Sequence, residues 1–157
     1  MTIENIIFTQ LMSNEEYARK VLPHIKEEYF QVPEEQMFLK IYRRFFGKYN
    51  KVPSPQTMRL EIDKLKSSAD VHERMVGFLG NKEPFEESFE YLLEQTEEYC
   101  KQRALYNAIK EAVLIMDGSS KEKRAPEAIP SILSEALGVT LDNHVGHNYL
   151  EDAEARY

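Results

Sequence analysis

Tryptophan is absent from this 157-residue chain, and cysteine occurs once, at Cys100. A lone thiol cannot close an internal disulfide, and it suits a reducing compartment. No apolar run approaches the roughly 18 residues that span a bilayer. The opening MTIENIIFTQLM lacks the positive n-region and small-residue cleavage site of a secretory signal. These absences predict a soluble, intracellular, cytoplasmic protein with no membrane partner. Glycine is scarce as well, and none of the six stands in a G-x-x-x-x-G-K-[ST] frame. GNK at 80–82 and GSSK at 118–121 read as helix-ending turns. No nucleotide-driven motor is expected in the chain, and with it no cofactor. Positive charge is short too: 20 Lys and Arg face 27 Asp and Glu, a net −7. Nonspecific DNA binding relies on many cations releasing counterions from phosphates, so partner proteins are the better first expectation.

What is present is helix. With 42% hydrophobic residues the chain can bury a core. Ile3, Ile6, Ile7 and Leu11 recur at helical spacing. Ser13-Asn14-Glu15-Glu16 has the pattern of a capping box, opening a helix that turns Tyr17 and Val21 inward. Pro33 suits a first turn, because proline lacks the N–H that would be unpaired there. From it to about Tyr49, Phe38, Ile41, Tyr42, Phe45 and Tyr49 mark an apolar stripe, and Asn50 marks a stop. Ser54-Pro55 starts a helix with Met58, Leu60, Ile62 and Leu65 as its apolar positions. Asp70 with Glu73 caps a shorter one, ending near Gly80. The longest element is placed from about residue 85 to Met116, glutamates first and Lys101, Arg103 and Lys110 later, as the helix macrodipole favours. DGSSKEKR, 117–124, is a turn in which Gly118 can take the left-handed conformation. PEAIPSILSEAL gives a shorter helix starting near Ile129. VTL at 139–141 is the lone strand candidate.

The expected fold class is therefore all-α. A small helical globular part covers 1–98 and includes the start of the long helix. A projecting helical hairpin covers 99–138, and an extended linker begins at 139 and runs to 157.

Chemistry-bearing patterns are weak. His144 and His147, with Asp142, Glu151 and Asp152 nearby, sit on a glycine-containing segment without the rigid second shell a metal site needs. A solvated linker is the better reading. Glu83, Glu86, Glu87, Glu90, Glu94, Glu97 and Glu98 could suggest paired carboxylates for a metal hydrolase. A glutamate row on one helix is more often its wet face. Cys100 has no partnering histidine in sequence and reads as a structural thiol. No catalytic, cofactor or metal residue is expected. Lys40, Arg43, Arg44, Lys48 and Lys51 interleave with aromatics and form a candidate contact for nucleic acid or a partner. The hairpin carries Tyr106, Ile109, Val113 and Met116 on one helix and Ile129, Ile132, Leu133 and Leu137 on the other. Two helices packing only on each other leave apolar outer sides, a reason to recruit a second copy through a symmetric four-helix contact.

Tyr99-Cys100-Lys101-Gln102-Arg103-Ala104-Leu105-Tyr106-Asn107-Ala108 resembles a Y-x-x-Q-R-A-x-[FY]-N-A stretch in the replicative helicases of T-even-like phages. Ala128-Ile129-Pro130 with Ala136-Leu137, and the closing VGHNYLEDAEARY, fit the same family, as do Glu28-Tyr29-Phe30 and Val52-Pro53-Ser54 upstream. These enzymes are similar to the DnaB-type hexameric helicases. The resemblance implies an N-terminal domain followed by a linker and a RecA-like motor that binds ATP and Mg and unwinds DNA 5′ to 3′. It implies pairing through hairpins into the collar of a hexamer. The implied partners are primase, a helicase loader and, mainly through the motor, DNA. The chain's unfinished-looking end then reads as the start of the linker, and the chain alone as inert. The competing reading is a stand-alone helical adaptor or DNA-binding accessory protein of phage replication.

Overall fold

The computed structural model describes residues 2–80 and 85–141. The fold is all-α, with seven α-helices and no strand among the described residues. In chain order they are α1 (Ile3–Ser13), α2 (Glu15–Val21), α3 (Pro33–Tyr49), α4 (Pro55–Lys64), α5 (Ala69–Gly77), α6 (Phe89–Met116) and α7 (Ile129–Leu137). Two 3₁₀ turns, Glu27–Tyr29 and Pro126–Ala128, precede α3 and α7.

Most starts and stops follow their local chemistry. Ser54 accepts the Thr57 N–H at 3.1 Å with Pro55 in the first turn. Asn50 ends α3 in the left-handed region at φ 55°, and Gly118 follows α6 at φ 80°. Three caps differ from the sequence reading. Asn14, not Ser13, caps α2 and accepts from the Tyr17 N–H at 3.0 Å, while Ser13 donates back to the Thr9 carbonyl inside α1. Ser68 rather than Asp70 caps α5, since an N-cap must precede the first helical residue. The long helix starts at Phe89, not near 85, because Ser88 accepts the Tyr91 N–H at 3.1 Å. The VTL segment is not a strand, and Leu60 and Tyr49, expected inward, are exposed.

The core forms where α1, α2, α3 and α5 meet the first half of α6. Phe8 is its hub. Its ring lies 5.0 Å from Phe30, 5.4 Å from Phe38 and 5.2 Å from Phe78, and Phe30 in turn meets Tyr99 at 5.5 Å. Tilted, edge-on and offset aromatic pairs of this kind add to the area they bury. Three core hydroxyls are paired: Thr96 donates to the Leu92 carbonyl and receives the Tyr17 hydroxyl at 2.7 Å, and the Tyr42 hydroxyl donates to the Leu11 carbonyl. Such pairing removes the penalty of burying a polar group.

Helix α6 has 28 residues, about 42 Å at 1.5 Å per residue. It runs unbroken through position 98, and its contacts with the globular helices continue as far as Asn107. Past that point it packs against α7 and the turn that joins them. Ile115, buried there, lies outside the main core cluster.

Candidate functional site

The root of the hairpin is built by three polar side chains at i, i+4 and i+8 on one face of α6. The Tyr99 hydroxyl donates to the Tyr29 carbonyl at 3.0 Å, Arg103 Nε donates to the same carbonyl at 2.9 Å, and the Asn107 amide donates to the Glu28 carbonyl at 2.9 Å. From the other side Arg43 reaches across from α3, donating to the carbonyls of Leu22 (2.7 Å) and Ile25 and pairing with Glu27 at 3.2 Å. The segment 22–30 is thus stitched between α3 and α6 largely through its own carbonyls. Carbonyls are present whatever the side chains, so the contact depends on the donors' positions.

The same stretch of α6 makes a second surface. Ala104 and Ala108 are buried, small enough for α7 to approach, and Ala136 of α7 is buried with them. Ile132 and Leu133 are half-buried and pack on the core cluster. Ile129 is also half-buried.

Four apolar residues of α6 face the opposite way. Tyr106, Ile109, Val113 and Met116 are 54, 50, 58 and 71% exposed. Their 3-4-3 spacing is the a/d pattern of a coiled-coil seam, a narrower stripe than a core-facing helix shows. Arg103 lies over the Tyr106 ring at 4.6 Å from its centroid and closes one end. Leu137 of α7 is exposed as well. Of the eight hairpin residues singled out from sequence, the structure therefore sorts four onto one exposed α6 seam. It places Ile129, Ile132 and Leu133 in partly covered positions and leaves Leu137 open.

The chain leaving α7 is held by a residue that sequence reasoning assigned to the wet face. Glu97 accepts from Thr140 Oγ1 at 2.6 Å and from the Leu141 N–H at 2.8 Å, and Leu141 itself is buried in the core. Burial opposes ionisation of Glu97. The hydrogen bonds from Thr140 and Leu141, with Lys101 and His24 nearby, outweigh it and hold the carboxyl below its ordinary range. The other described glutamates of the run, Glu86, Glu87, Glu90, Glu94 and Glu98, are exposed. Residues 139–141 of the expected linker are thus fastened to α6. Its remainder, with His144 and His147, and Glu83 lie outside the described residues.

Lys40, Arg44, Lys48 and Lys51 are exposed, whereas Arg43 is half-buried in the clamp just described. Arg44 pairs with Glu61 at 3.7 Å and Lys48 lies over the Tyr49 ring. Cys100 is buried, and burial, with Glu97 adding to it, pushes its thiol up to about 12. Among the described residues no three His, Cys, Asp or Glu side chains gather as a metal site, and no helix is long and apolar enough to cross a membrane.

Across 97% of its length this chain is 26% identical to a DnaB-like replicative helicase of Enterobacteria phage T4. It spans about a third, 34%, of that relative's length. No protein-family model matches it. The chain is thus a helicase-related sequence, matched to part of a longer relative. Two of the stretches that carried the resemblance, 99–108 and 28–30, meet in space, since Tyr99, Arg103 and Asn107 bond to the carbonyls of Glu28 and Tyr29.

Proposed function

We propose that this chain is the N-terminal assembly and docking domain of a replicative DNA helicase, pairing through its hairpin to build the collar of a hexamer. The observation that carries the reading is the exposed seam of Tyr106, Ile109, Val113 and Met116 on a helix whose opposite face, with Ala104, Ala108 and Ile115, is already buried. Contiguous exposed apolar surface of this kind marks an interaction site. A second copy offers the same 3-4-3 stripe, so the contact is self-complementary about a two-fold axis. Sequence similarity to a replicative helicase supports the same assignment.

In this reading the clamp of Arg103 and Asn107 on the Glu28–Tyr29 carbonyls sets the angle between collar and globular body. The α6 seam holds subunits in register, and the globular helices present surfaces to primase or to a helicase loader. ATP and Mg act in a motor domain beyond this chain, which alone hydrolyses nothing. Sedimentation velocity of the chain and of Val113→Asp tests the pairing. Val113 is exposed, so the variant keeps its helical content. A charge in the seam removes apolar burial from both copies at once, about 3 kcal/mol or roughly a hundredfold in dissociation constant. Identical sedimentation of the two proteins across concentration would count against the interface.

A further inference from the structure

The last turn of α3 holds a glycine that the fold itself does not call for. A Cβ built on Gly47 meets nothing within 4 Å, and the residue is helical. Neither close packing nor a left-handed backbone asks for glycine there, and a glycine weakens a helix. Beside it lies a cleft of about 230 Å3 lined by Leu22, Pro23 and Phe46, with Arg19 and Arg43 at its edges. Arg44 and Lys40, three and seven residues before Gly47, share its helix face, and Lys48 and Lys51 follow it. Of these six cations Arg19, Arg43 and Arg44 pair with Glu15, Glu27 and Glu61, and Lys40, Lys48 and Lys51 are exposed, in a chain whose net charge is −7.

We propose that this cleft docks an acidic segment of a partner protein, which seats one apolar side chain against Gly47. The missing side chain leaves the room, Leu22, Pro23 and Phe46 supply the apolar wall, and the surplus of cations supplies the charge complementarity. A nucleic acid fits the same place less well. Base stacking needs free ring faces. Here Arg19 lies over Phe46 at 5.2 Å, Tyr42 stacks on the same ring at 6.4 Å, and Tyr49 is taken by Phe45 and Lys48. The site is on α3 and does not depend on the hairpin reading.

Fluorescence anisotropy of the chain tests it, with a dye-labelled Asp/Glu-rich peptide carrying one phenylalanine, the same peptide with serine in its place, and a labelled single-stranded oligonucleotide. The phenylalanine peptide binds, and the serine peptide loses about tenfold or more in affinity. Gly47→Leu, which fills the cleft without lowering the melting temperature, loses as much. Arg44→Glu weakens both peptides. The proposal is overturned by no binding of the phenylalanine peptide, by unchanged binding to Gly47→Leu, or by an oligonucleotide that binds more tightly than the peptide.

Discussion

Asn107 and Glu28 are joined 79 residues apart in sequence, the side-chain amide of one donating to the main-chain carbonyl of the other at 2.9 Å. With Arg103 and Tyr99 it makes a ladder of donors on α6 that grips a 3₁₀ turn by its backbone. The hairpin's attachment to the globular part is therefore polar at its edge and apolar beneath.

Removing a rung has a defined cost. Asn107→Ala loses a hydrogen bond to a carbonyl that water can reach, about 1 kcal/mol. Arg103→Ala loses a charge-assisted bond and the packing over Tyr106, about 2 kcal/mol. Urea denaturation should show both losses, the second larger, with far-ultraviolet circular dichroism unchanged in the native state. Equal stability of Arg103→Ala and the parent chain would sink the clamp.

Phe8 is the hub of the aromatic cluster and is 1% exposed. Phe8→Ala leaves a cavity facing Phe30, Phe38 and Phe78, and should destabilise the fold by about 3–5 kcal/mol. Phe45→Ala, at a half-buried ring on the same side of the molecule as Tyr49, should cost less than half of that in the same denaturation series.

Acid should loosen the exit of α7. The folded Glu97 carboxyl ionises below its ordinary value of 4.5. A depressed carboxylate stabilises the fold fully above the ordinary value, and the contribution is lost as pH falls through the lower folded one. Native-state hydrogen exchange at the Leu141 amide should therefore show protection falling with pH below about 4.5, once intrinsic rates are normalised. In Glu97→Gln the protection should be lower and flat across that window. A pH-dependent fall in the glutamine variant as well would assign the effect to another group.

Cys100 should behave as an inert thiol. Burial, with Glu97 adding to it, pushes it up to about 12, so almost no thiolate exists at neutral pH. Labelling by a disulfide reagent should proceed only through opening of the fold and should accelerate with urea in step with unfolding. Rapid labelling in the native state would mean that the first half of α6 is not packed as described.

Helices announced themselves wherever their signal was local. Pro33, Ser54-Pro55, Asn50 and Gly118 each act within a turn of their own position, and each start or stop falls where the chemistry puts it. Caps were misread where two eligible residues compete within a few positions, as with Ser13 and Asn14, because backbone geometry decides between them. Position 97 shows the other limit. Its spacing matches a wet face, and nothing near it in sequence reveals that Thr140 and Leu141 arrive from 43 and 44 residues away. Arg43 shows the same limit: its carbonyl partners lie on a segment whose path only the tertiary fold supplies. The seam was legible in part. Period alone marked the apolar residues of both hairpin helices, but not that Ile132 and Leu133 turn toward the core while the α6 stripe turns away.

Cysteine crosslinking tests that stripe most directly, since the native thiol is buried. A short bis-maleimide should join Ile109→Cys chains into dimers. Leu60→Cys, 62% exposed on α4 away from the hairpin, should stay monomeric under the same conditions. Monomers from both variants, or equal dimer yields from both, would contradict the pairing of the hairpins.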